Sequence, residues 1–203
     1  MSLKKYLITF VAVSILCIQA CKPPDLGPGE YLKWVEMPAH GLVKEKKIGG
    51  INFQAQYKPY EYVVLKESGL NPVTPEGMKA QLNQMGDLTY FTLRMQTTDG
   101  SDPLKYQVTS KEAYYARIKY LSFDVQNDVK LVSGKDTLKC VIAAYDRSYG
   151  LKPEITVMTG FLLKQKKSMD DFQFIFNDKI FNSGPVMLSF ESSALSKLPN
   201  LML

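Results

Sequence analysis

The stretch "INFQAQYK", residues 51–58, alternates Ile51, Phe53, Ala55 and Tyr57 with Asn52, Gln54, Gln56 and Lys58. Successive side chains of an extended chain point to opposite faces, so this period of two describes a strand with one dry face and one wet face. A dry strand face must be covered by other strands or helices. The feature therefore commits the chain to a sheet. Pro59 ends the run, as expected of a residue that cannot donate to a ladder. "YEYVVLKE" (60–67) is expected to be a second, more buried strand, because Val63, Val64 and Leu65 run together. "LTYFTLRMQT" (88–97) sets Phe91, Leu93 and Met95 against Thr92, Arg94 and Gln96.

Further strands follow the same logic. "VKLVSGKDTLKCVIAAY" reads as a hairpin turning over Ser133–Asp136. "ITVMTGFLLK" and "FQFIF" are expected to pair with each other across "QKKSMDD", and "VMLSF" is the last clear strand. Two short helices interrupt the strands. The first covers 75–85: Thr74 suits the N-cap, Pro75 the first helical position, Glu76 the positive end of the dipole, and Gly86 the stop. Met78, Leu82 and Met85 form its apolar stripe. The second follows Ser110, with Tyr114, Ile118 and Leu121 on one face, and "SALSKLP" suits a helical turn near the end. The 12 Tyr and 10 Phe favour strands. Strands follow strands, which argues against a parallel α/β fold. The expected fold is mostly β: an antiparallel β-sandwich, or an α+β variant, of about eight strands with two short helices. The length of 203 residues suits one domain, and 45% hydrophobic with 22% charged residues allows a real core.

The amino-terminal end carries a different signal. Lys4 and Lys5 precede an apolar run from Leu7 to Ile18, and "IQAC" leads to Cys21. That run is shorter than the roughly 20 residues a membrane-spanning helix needs, and it fits a signal-peptide core. With Ile18 and Ala20 ahead of Cys21, it resembles the lipobox of bacterial lipoproteins. The resemblance implies cleavage before Cys21 and acylation of that residue, so that lipid anchors the protein to a membrane. The expected organisation is a signal peptide over 1–20, a lipidated Cys21 with a flexible tether over 21–33, and one β-rich domain over 34–203. "KPPDLGPGE" has a tether's composition. By analogy with Gram-negative sorting, Lys22 implies the outer membrane. "WVEMPAHGLVKEKKIGG" is similar to envelope lipoproteins of Bacteroidota-type bacteria, and that resemblance implies a location without an activity.

Little in the chain points to catalysis. Loss of residues 1–20 removes Lys4, Lys5 and no acid, leaving 23 basic against 20 acidic residues, a net charge of +3. That balance offers no basic footprint for nucleic acid. With one histidine and no C-x-x-C pair, no metal site and no cofactor is expected. There is no phosphate-binding loop, no dinucleotide glycine motif and no G-x-S-x-G elbow. His40 is expected to be a solvated loop residue, and Cys140 a small core residue in phase with Leu138 and Ile142. The acids Glu61, Asp87, Asp124 and Asp146 have no spacing that singles out a catalytic pair. "VKEKK" and "KQKKSMDD" read as solvated loops.

Four residues are candidates for contact with a ligand or partner. Trp34 is the single tryptophan and is expected to dock the tether onto the core. Tyr145, Arg147 and Tyr149 sit at a strand end and the following loop. The expected function is a non-catalytic accessory or protein-interaction lipoprotein with a partner in the cell envelope. The alternative is a lipoprotein that captures glycan or peptide, and a remoter one is a hydrolase of unfamiliar type.

Overall fold

The structure is a computed structural model, and it describes residues 23–69, 71–147, 153–163 and 171–203. The signal-like run, Cys21 and Tyr149 lie outside these residues.

The mostly β expectation holds. Among the described residues there are ten strands and five α-helices. Eight strands form one antiparallel sheet in the order β2–β3–β4–β7–β6–β5–β8–β9. They are β2 (Val43–Ile48), β3 (Ile51–Lys58), β4 (Leu88–Thr97), β5 (Val129–Ser133), β6 (Asp136–Asp146), β7 (Ile155–Leu162), β8 (Phe172–Asp178) and β9 (Gly184–Phe190). The two edge strands, β2 and β9, lie against each other without pairing, so the sheet nearly closes into a barrel.

The two separate layers of a sandwich are replaced by one bent sheet, and β6 is the reason. Its first residues pair with β5, and from Cys140 onwards it pairs with β7, with a bulge between Cys140 and Ile142. A bulge kinks and twists a strand, which lets one strand serve both halves of a curled sheet. Rings from the two halves meet inside. Phe91 of β4 lies 5.5 Å from Phe174 of β8 and 5.2 Å from Phe190 of β9, and Phe53 of β3 lies 6.3 Å from Phe176.

Several expected elements are present with their expected ends. β3 has its full length and buries Ile51, Phe53 and Ala55. The hairpin of β5 and β6 turns where expected, with Ser133 opposite Asp136. The helix α3 (Pro75–Met85) is capped by Thr74, whose Oγ1 accepts from the Gly77 N–H at 3.1 Å. The helix α4 (Lys111–Lys119) is capped by Ser110 in the same way, and it continues into a wider turn over Tyr120–Asp124.

Other expectations are corrected. "YEYVVLKE" is a helix, α2 (Tyr60–Ser68). Its consecutive Tyr62, Val63, Val64 and Leu65 are all buried, and such a run does not distinguish a buried strand from a buried helix. "VKEKK" lies in β2, an edge strand whose exposed lysines discourage pairing with other chains. β7 lies between β4 and β6, and β8 between β5 and β9, so the expected β7–β8 pair does not form. Half of the stretch read as a tether is folded. β1 (Asp25–Leu26) pairs in parallel with β10 (Asn200–Leu201), and α1 covers Pro28–Glu36. Pro28 starts that helix rather than stiffening a linker, and Tyr31 and Val35, one turn apart, are its buried contacts.

The remaining helix, α5 (Ser192–Leu195), is held close to Gly41. Gly41 has φ +80°, and a Cβ added there would lie 2.9 Å from Ala194 Cβ. Gly41→Ala is therefore expected to lower stability by about 2–4 kcal/mol, combining left-handed backbone strain with steric overlap. Urea denaturation should show the midpoint falling with an unchanged slope.

Arg117 of α4 secures the opposite side. Its guanidinium donates to the carbonyls of Pro103, Leu104, Tyr106 and Ile180 at 2.7–3.2 Å and sits 5.1 Å from the Phe181 ring centre. Asp178 organises the turn beyond β8 by accepting from the N–H groups of Ile180, Phe181 and Ser183.

Candidate functional site

Helices α1, α2 and α3 pack in series, and α1 also holds Trp34, the residue expected to dock the tether. Trp34 is half-buried and stacks on His40, with ring centres 4.0 Å apart and an interplanar angle of 8°. His40 Nδ1–H donates to the Trp34 carbonyl at 2.8 Å. The pair thus fastens the end of α1 to the following turn. His40 is half-buried rather than solvated, and its ring has a structural contact instead of a nucleophile beside it.

Tyr145 and Arg147 take part in separate contacts. Tyr145 is half-buried and packs against the core, and Arg147 donates to Ser122 Oγ at 3.0 Å. Cys140 is buried as expected, its Sγ 2.9 Å from the Ile142 carbonyl, and burial pushes the thiol up. A cluster of ligands for a metal is absent among the described residues. No helix among them is long and apolar enough to cross a membrane.

A concavity with mainly apolar walls lies elsewhere. A cavity of about 610 Å³ opens where the ends of β3, β4 and β8 meet the helices and the β1–β10 ribbon. Its size falls within the range of small-molecule sites, roughly 300–1,000 Å³. Met78 and Leu82 of α3 form one apolar wall. Phe172, at the start of β8, and Leu195 with Leu198 form another, and Leu201 and Leu203 of the carboxyl-terminal segment complete the lining. Thus the apolar stripe of α3 faces a cavity as well as the core.

The phenols and the carboxylate of the cavity come from three segments, and Thr89 of β4 and Asn200 of β10 add further polar side chains. Tyr31 comes from α1, Tyr57 from the end of β3, and Tyr60 with Glu61 from the first turn of α2. Pro59 between β3 and α2 sends the chain from strand to helix at once, which brings Tyr57 and Glu61 to the same cavity. Burial, with Glu61 as the next cause, pushes the Tyr31 phenol far above its ordinary value; burial does the same for Tyr57, and it also raises Tyr60. These tyrosines are therefore neutral hydrogen-bonding groups at any physiological pH.

A second polar layer lies under α1 and α2 on the outer face of β3 and β4. There Glu36 accepts from Lys66 at 2.6 Å and from the Tyr62 hydroxyl at 2.8 Å. Burial alone would raise the Glu36 carboxyl, but these two donors hold it below its usual range. Gln56 Nε2, Thr92 Oγ1 and Arg94 Nε have no hydrogen-bond partner there.

Of the acids weighed from the sequence, Glu61 lines the cavity. Tyr31, Tyr57 and Leu198 line it as well, and no motif in the sequence marks them as site residues. The local signal available was the aromatic density of "YKPYEY", which does not by itself indicate a cavity. The chain matches no protein-family model, and neither the curated proteins nor the solved structures contain a significant match to it.

Proposed function

We propose that this protein is a non-catalytic, lipid-anchored envelope protein that captures a small, largely apolar ligand. The observation that carries the reading is the 610 Å³ cavity with apolar walls and a few converging polar groups. Its lining suits hydrocarbon better than a glycan, which needs many polar partners and an exposed aromatic platform. The expected anchor at Cys21 precedes β1 by only three residues, Lys22 to Pro24. Three residues reach at most roughly 11 Å. Anchoring there would keep the β1–β10 ribbon, and the cavity it borders, close to the bilayer of the outer membrane.

The test uses an uncharged probe, 1-octanol, in calorimetry. Saturable binding at one site is expected. Leu82→Trp, which places an indole in the cavity, is expected to weaken it at least about tenfold while leaving the unfolding temperature close to that of the parent. Unchanged binding in that variant would contradict the capture site.

A second reading, an accessory module that contacts an envelope protein, is supported by Tyr115 and Phe123. They are 65% and 69% exposed on α4 and the turn that follows it. Large aromatic side chains left in water are typical anchors of protein interfaces. Loss of a co-purifying envelope protein on Phe123→Ser would favour that reading.

A further inference from the structure

The polar end of the cavity has a defined charge. Glu61 lines it, and among the described residues no basic side chain does so and none makes a salt bridge to Glu61. Beside Glu61, the Tyr31 side chain is only 1% exposed. Glu61 is half-buried, and a carboxylate facing apolar walls gains from a positive charge beside it. A ligand can supply that charge at this end while its hydrocarbon lies against Met78, Leu82, Phe172 and Leu198.

We propose that the cavity selects a single-chain aliphatic amine, bound with its ammonium group on the Glu61 carboxylate and donating to the Tyr31 hydroxyl oxygen. The inference rests on the capture reading and adds the identity of the head group. An ammonium has three donors and no acceptor, which matches the Glu61 carboxylate and the phenol oxygens that line the cavity beside it. A fatty acid presents the wrong charge: its carboxylate would face Glu61, and like charges repel. An alcohol head is tolerated because it donates one hydrogen bond without adding charge. The neutral state of Tyr31, Tyr57 and Tyr60 fits this assignment, since an anionic phenol is not needed to hold the amine.

The experiment compares octylamine, 1-octanol and octanoate at pH 7 by calorimetry. The protein is the full chain carrying Cys21→Ser, kept in detergent-free buffer so that no other amphiphile competes. Octylamine is expected to bind about tenfold more tightly than 1-octanol, and octanoate most weakly of the three. Glu61→Gln is expected to bring octylamine and 1-octanol to within about twofold of each other, chiefly by weakening octylamine. Tyr31→Phe is expected to weaken octylamine with little change in unfolding temperature, which provides a second variant if Glu61→Gln proves unstable. Octanoate binding as tightly as octylamine, or an amine preference that survives in Glu61→Gln, would overturn the head-group assignment and leave the capture reading standing. Failure of all three probes to bind would overturn both.

Discussion

Replacing Phe91 by alanine is expected to lower stability by about 3–5 kcal/mol. Phe91 is fully buried in β4, and its ring meets five others: Tyr57 at 5.4 Å, Phe161 at 6.0 Å, Phe172 at 6.1 Å, Phe174 at 5.5 Å and Phe190 at 5.2 Å. These partners come from β3, β7, β8 and β9, so one ring joins both halves of the bent sheet. The truncation loses transfer free energy and leaves a hole that four strands from different parts of the sheet cannot easily collapse into. Tyr57 and Phe172 also line the ligand cavity, so the same change is expected to weaken octanol binding. Equilibrium denaturation of the variant checks the first effect. A loss below about 1 kcal/mol would show that the two halves are not joined through this ring.

The other large effect concerns location. Cys21→Ser is expected to move the protein from the membrane fraction to the soluble fraction. Each buried methylene of an acyl chain contributes about 0.8 kcal/mol, so two or three chains hold a protein firmly where one does not. The apolar run Leu7–Ile18 does not replace them. Its 12 residues would make a helix about 18 Å long, well short of the roughly 30 Å hydrocarbon core. Fractionation in carbonate, followed by immunodetection, reads the result. Retention of the Cys21→Ser protein in the pellet would remove the acyl anchor from the account.

Local chemistry in the sequence is enough to locate some elements. The alternation of β3 depends on each residue's own face, and the caps at Thr74 and Ser110 act within three residues, so each is legible without knowing what lies opposite. The hairpin of β5 and β6 is equally local, with Gly134 at φ +57° in its turn. Elements decided by distant partners are not legible in this way. The lysines of β2 mark an edge strand only once β3 is beside it, and α2 is a helix because it has α1 and α3 to pack against. Pro28 and Gly29 carry the composition of a linker, yet Tyr31 and Val35 turn the same stretch into a docked helix. The cavity was the least legible feature. Its polar end draws on residues 31, 57 and 61 and its apolar walls on residues 78, 82, 172 and 195–203, so no sequence window contains more than a fragment of it.

The central claim is that an anchored fold carries a small amphiphile rather than transforming it. Native mass spectrometry of the protein released directly from its own membranes tests this most directly. The account predicts an acyl-modified Cys21 at the amino terminus together with a non-covalent passenger that leaves at low collision energy and is missing from Leu82→Trp. An empty protein in both the parent and Leu82→Trp would contradict it.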